Sequence, residues 1–200
     1  MDSYNNLPDT EIIHSGEISE KFLELGIKSF KEACYYVHNE KYGYNSNYDD
    51  KMIFFKENMG TCTTKHAIIA SLAKELNIPL YKSIGIYKFT EDISTGTDII
   101  LEKYNIPYIP MVHCFLVYKD HRFDLTEGNI NGKKKAIEKF IHTEIVDPFI
   151  SRKDEYLLFK KILKENILLS EEMKGISEKT LLKAREECIK LFKNNINKQC

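Results

Sequence analysis

The sequence predicts an α+β domain in which one largely buried helix packs on an antiparallel sheet, with extra helices at the C-terminal end. Three observations predict it. After Thr61, a natural N-cap, the chain runs without Gly or Pro to Pro79, and the stretch from Cys62 to Leu76 is apolar over much of a helical circumference. Three runs rich in β-branched and aromatic residues follow, at about 81–88, 112–118 and 122–126. The remainder returns to helical periodicity. We read one domain over 1–200, with a core at about 19–150 and a helical segment at 151–196.

Composition narrows the classes of function. Hydrophobic residues at 42% and charged residues at 30% are ordinary for a globular chain, and a net charge of −1 gives no electrostatic case for nucleic acid or a membrane surface. No apolar run reaches the length of a membrane span and the first residues do not form a signal peptide, so the expected location is the cytoplasm. Five widely spaced cysteines (Cys34, Cys62, Cys114, Cys188 and Cys200) read as reduced thiols. The expected partner is a peptide, protein or small amide substrate; no cofactor is expected, and oligomeric state is not legible.

Taken in order, residues 1–16 are polar and read as a loose arm. Ser19 then opens a helix whose apolar residues, Phe22, Leu23, Leu25, Phe30, Ala33, Cys34 and Val37, recur at helical offsets to about His38, with Gly26 as a local weakness. The Tyr- and Asn-rich stretch from Tyr42 to Asp50 is a loop, and Met52 to Lys56 is a short helical turn leading to Gly60. On the helix after Thr61, Cys62, His66, Ile69 and Ala73 share one face, and Lys65, Ser71, Lys74 and Glu75 are the positions that need water. His66 reads as a buried histidine under Cys62, bonded to a neighbouring carbonyl; His66 and Lys65 are structural residues beside the site.

A strand is predicted from Tyr81 to Lys88, then an excursion over 91–111 with a short helix, Asp98 to Tyr104, capped by Thr97. An excursion of that length before the next candidate residues is placed to wall a cleft. Val112 to Tyr118 and Arg122 to Thr126 form a hairpin. With Lys119-Asp120 as a two-residue loop, Tyr118 pairs with His121, Phe115 faces Asp124, and His113 and Asp124 are diagonal neighbours within hydrogen-bond reach. The stretch from 133 to 150 stays open, with Phe140 to Val146 either strand or helix end. Ser151 and Ser177 cap the last two helical segments.

Cys62 at a helix start, His113 and Asp124 supply the three roles of nucleophilic acyl transfer. The helix N-terminus favours the thiolate, an imidazole holds and returns a proton, and a carboxylate fixes the imidazole's tautomer. Asn45, with Tyr44 beside it on the 42–50 loop, is the candidate second oxyanion donor after the Cys62 N–H. Gly60-Thr61-Cys62, the helix to Pro79, the strand opening His113-Cys114-Phe115-Leu116-Val117-Tyr118 and the tail Phe123-Asp124-Leu125-Thr126 resemble the core of the transglutaminase-like superfamily of papain-fold cysteine enzymes. The resemblance covers about residues 40–130. It implies Cys62 as nucleophile, His113 as base, Asp124 as orienting acid, and cleavage or transfer of a peptide or amide acyl group. The superfamily's common Trp two positions after the His is Phe115 here, and the chain has no Trp, so a protein cross-linker of the animal type is not implied.

Two other classes stay open. Cys34 with His38 and Cys62 with His66 are i, i+4 pairs that together offer a Cys2His2 zinc set. A papain-like module that only binds is the other.

Overall fold

The computed structural model describes residues 2–199; Cys200 lies outside them. Seven α-helices and six strands are described, and four of the strands form an antiparallel sheet. The chain groups into two interleaved units, one comprising the chain up to Ile84 with His113–Asn129 and Glu144–Phe149, the other Gly85–Val112, Ile130–Thr143 and the chain from Ile150 onward.

In the first unit the predicted long N-terminal helix is two helices, α1 (Glu17–Glu24) and α2 (Phe30–Asn39). Gly26 ends the first by taking φ 78°, a backbone conformation that other residues adopt only at a cost. Ser29 starts the second with a capping box, its hydroxyl accepting from the Glu32 N–H while the Glu32 carboxylate accepts from the Ser29 N–H. The true cap of α1 comes from elsewhere in the chain. Glu75 accepts the Ile18 and Ser19 N–H groups at 3.0 and 2.7 Å, and Ser19 is a residue of the first turn rather than the cap.

The polar N-terminal arm is not loose. Leu7 and Ile12 are buried with Phe22, Phe30 and Leu116 in one apolar cluster, and the Ile12 N–H donates to the Lys28 carbonyl. Two-residue strands β1 (Lys41–Tyr42) and β2 (Met59–Gly60) pair in parallel and flank α3 (Ile53–Glu57). Gly60 allows the close approach that follows, because a Cβ there would lie 3.0 Å from the Thr64 Cβ.

Helix α4 (Cys62–Glu75) starts with Thr61 as its extended N-cap, and its core positions Ile68, Ile69, Leu72 and Ala73 are fully enclosed. Burying four such side chains stabilises the unit by several kcal/mol, at ~1.5–3 kcal/mol for each large one. Lys65, expected to face water, is itself completely buried; its Nζ donates to the His38 and Glu40 carbonyls and to Asn129 Oδ1. The reason is that α2 ends at Asn39 with carbonyls that have no intrahelical partner, and the ammonium supplies them with donors.

The sheet order is β5-β4-β3-β6, with β3 (Leu80–Phe89), β4 (Ile109–Tyr118), β5 (His121–Phe123) and β6 (His142–Val146). The β4–β5 register pairs Tyr118 with His121, Val117 with Arg122 and Leu116 with Phe123, which is the two-residue turn at Lys119-Asp120; Lys119 takes φ 53° there. β6 settles the open stretch as an edge strand whose central residues are exposed.

In the second unit, α5 (Thr97–Tyr104) packs on α7 (Glu178–Gln199), and the Lys103 ammonium and Tyr104 hydroxyl both donate to Glu187. Gly96 rather than Thr97 is the N-cap of α5; Thr97 is the first helical residue and its hydroxyl donates to the Ser94 carbonyl. α6 (Arg152–Ile162) is capped by Ser151, which accepts from the Asp154 N–H, and continues into a π-helical turn at Leu163–Ile167. Ser177 accepts the Thr180 N–H at the start of α7. Among the described residues no helix is long and apolar enough to cross a membrane.

Candidate active site

All the residues singled out around Cys62 fall in the first unit. The starting point is the turn that sends the chain from β5 into 124–129. Asp124 follows Phe123, the last paired residue of β5, and is 3% exposed. His113, buried at 1%, places Nε2 at 2.7 Å from Asp124 Oδ2. A carboxylate accepts, so the imidazole proton sits on Nε2 and Nδ1 is the basic nitrogen. The other carboxylate oxygen, Oδ1, accepts the Thr126 N–H at 2.8 Å and the Thr126 hydroxyl at 2.7 Å, which fixes the rotamer of the acid.

The backbone of this turn is held on every side. The Tyr4 hydroxyl donates to the Asp124 carbonyl, and His38 Nδ1, 3.2 Å from the Leu125 carbonyl and 3.3 Å from Tyr4 Oη, donates to that oxygen pair. The Leu125 N–H donates to His66 Nε2 at 2.8 Å. That bond assigns the tautomer of His66: Nε2 accepts, so Nδ1 carries the proton and donates to the Cys62 carbonyl at 2.7 Å. Burial pushes the His66 pKa down to about 4, against the pull of Asp124 and Cys62, so the ring is neutral. His66 Nε2 also lies 3.5 Å from Asp124 Oδ1, but with an unprotonated nitrogen this approach is not an ion pair.

Two further contacts bring the Cys62 end of α4 to the His113 strand. The His66 and His113 rings meet edge to face with centroids 6.3 Å apart, and the residue after Cys62 touches the residue after His113, Thr63 Oγ1 lying 3.7 Å from Cys114 Sγ. Cys62 is 9% exposed at the first turn of the helix, where the dipole favours an anion. Cys34 and Cys188 have different surroundings: burial pushes both thiols up, Cys188 to about 12.

No family model, curated protein or solved structure matches this chain. The site therefore rests on its own geometry.

That geometry corrects the expectation for Asn45. Its amide donates to Glu57 Oε2 and to the Met59 carbonyl, both at 2.9 Å, and its oxygen accepts from the Thr64 hydroxyl, so its two N–H groups are committed and it is not an oxyanion donor. It is instead a buried brace between the 42–50 loop and α4. Tyr44 stands exposed on the same loop. Lys65, three residues after Cys62, is also a brace, and burial lowers its pKa to about 8. Sequence reasoning missed Tyr4, and it missed the roles at this turn of His38, named there only for a zinc set, and of Thr126, named only in a motif. Thr126 carried a signal, since a Thr two residues after an Asp forms an Asx turn; the other two carried none.

The zinc set is not assembled. Both nitrogens of His66 are taken by backbone groups, Cys34 lies in the apolar cluster, and no group of three potential ligands occurs among the described residues.

Proposed function

We propose that this chain is a cysteine-nucleophile acyl-transfer enzyme of the transglutaminase-like, papain-fold kind, acting on a peptide or amide bond with water as the acceptor. The observation that carries the reading is the buried 2.7 Å bond from His113 Nε2 to Asp124 Oδ2, made beside the histidine that holds the Cys62 carbonyl. It gives His113 the tautomer a general base needs, with Nδ1 as the basic nitrogen and the developing imidazolium stabilised by Asp124.

In the proposed reaction His113 Nδ1 takes the Cys62 thiol proton as sulfur bonds to the substrate carbonyl carbon. The oxyanion forms at the positive end of α4, where the Cys62 N–H is a donor. The C–N bond then breaks, the leaving amine takes the proton from His113, and a thioester remains. Water adds to the thioester carbon while giving a proton to His113, the C–S bond breaks, and that proton returns to sulfur. A thiol at a helix N-terminus, with the next helical residue touching the residue after the base on an antiparallel strand, supports the fold assignment.

The test is limited alkylation followed by trapping. Cys62 is expected to label first at neutral pH, with Cys34 and Cys188 resistant, and an acyl adduct on Cys62 is expected by intact mass after incubation with a broad pool of peptides and amide metabolites. Faster labelling of Cys34 or Cys188, or a Cys62 rate unchanged in His113→Ala, sinks the reading.

A further inference from the structure

Resting on the acyl-transfer reading above, we propose that His66 is a positioning residue: as its Nδ1–H tautomer it clamps the Cys62 carbonyl to the Leu125 amide, and so keeps the thiol-bearing end of α4 in register with the His113–Asp124 pair. The two bonds are short, 2.7 and 2.8 Å, and both end on main-chain atoms of the residues that matter: the nucleophile itself and the neighbour of the acid. The ring is completely buried, and the titratable groups facing it are Asp124, Cys62 and His113.

An apolar side chain of the same size fills this space but does not do the same work. It leaves the buried Leu125 N–H without an acceptor, and the turn that aims Asp124 relaxes towards another partner. A charged ring fails in a different way. Protonation of Nε2 removes the acceptor for Leu125 and sets a cation 3.5 Å from Asp124 Oδ1, where it competes with the His113 imidazolium for the same carboxylate. The depressed pKa of His66 keeps the ring neutral at neutral pH. Spacing adds precision: four residues after Cys62 on a helix, the imidazole reaches back to the Cys62 carbonyl with its rotamer fixed by the turn.

The experiment measures the rate of Cys62 labelling by iodoacetamide against pH, by peptide mapping, in wild type, His66→Phe, His66→Gln and His113→Ala. It is joined by nitrogen-15 NMR of the imidazoles in the wild-type protein. His66→Phe is expected to lower the rate near neutral pH by about 10-fold or more and to move the profile upward, as a loss of about 1 Å in alignment does. His66→Gln, which keeps one donor and one acceptor at similar reach, is expected to restore most of it. The NMR is expected to show His66 protonated on Nδ1 only, at neutral pH. A folded His66→Phe with the wild-type profile overturns the proposal, and so does an Nε2–H or charged His66; should His66→Phe not fold, the tautomer decides. A profile that His113→Ala leaves unmoved removes the triad and this role together, whereas a profile moved by His113→Ala but not by His66→Phe removes the positioning role alone.

Discussion

The Tyr4 hydroxyl donates a 2.9 Å hydrogen bond to the main-chain oxygen of Asp124, 120 residues further along the chain. Around it the arm is stitched to the hairpin, the Asp2 N–H donating to the Arg122 carbonyl and the Arg122 N–H returning to the Asp2 carboxylate. Tyr4→Phe keeps the ring, which stacks edge-on with His38, and deletes only the hydroxyl. The expected cost is about 1 kcal/mol in chemical denaturation. Because the lost bond belongs to the turn that carries Asp124, Cys62 labelling should slow as well; an unchanged rate would mean the brace is structural only.

Acid should weaken the fold through His66. Its pKa is about 4 in the fold against 6.5 as the ordinary value, so between those pH values the unfolded chain takes up a proton that the folded one does not. The associated stability is fully present above 6.5 and is lost as pH falls towards 4, by roughly 3 kcal/mol. Urea midpoints measured across that window should therefore fall in wild type, and fall less in His66→Gln.

Lys65→Met tests the buried ammonium. The substitution nearly conserves volume but strips donors from the carbonyls of His38 and Glu40 and from Asn129 Oδ1. Removing one partner of a buried polar network is expected to cost about 3 kcal/mol or more, far beyond a surface lysine's contribution. A thermal shift near zero would show that water replaces the ammonium.

Glu75→Ala should loosen α1 specifically. The carboxylate at the end of α4 accepts the Ile18 and Ser19 N–H groups and is the cap that Gly16, lacking a side chain, does not provide. A loss of about 1–2 kcal/mol is expected, with amide exchange accelerated in residues 17–24 and unchanged in α6. Uniform acceleration would point to a general loss of packing instead.

What the sequence made legible was local. Thr61 before an unbroken apolar run marks the start of α4, and Ser151 and Ser177 mark α6 and α7, because a cap acts within three residues of itself. The hairpin register followed from its two-residue turn. Gly26 marks the end of α1, and Ser29 with Glu32 spells the second N-terminus. The burial of Lys65 and the docking of the arm were out of reach for a different reason: several of their partners are main-chain atoms, which every sequence has, and the partners lie at distances along the chain that no periodicity reports. Asn45 shows the same limit, since its amide type suggests a donor while only the fold reveals that Glu57 and Met59 already use it. β6 is an exposed edge, and without one buried face a strand has no alternation to read.

The bonds that hold the Asp124 turn also set an order of events in folding. They join residues 59, 64 and 120 positions apart, Leu125 to His66, Asn129 to Lys65 and Asp124 to Tyr4. Such loops repay their closure entropy only when the whole hairpin has arrived. A nascent chain that has released α4 but not the hairpin thus carries Cys62 on its helix without His113, Asp124 or the bonds that hold their turn. Any help that His113 and Asp124 give to Cys62 therefore has to wait until residues 113–129 have been made.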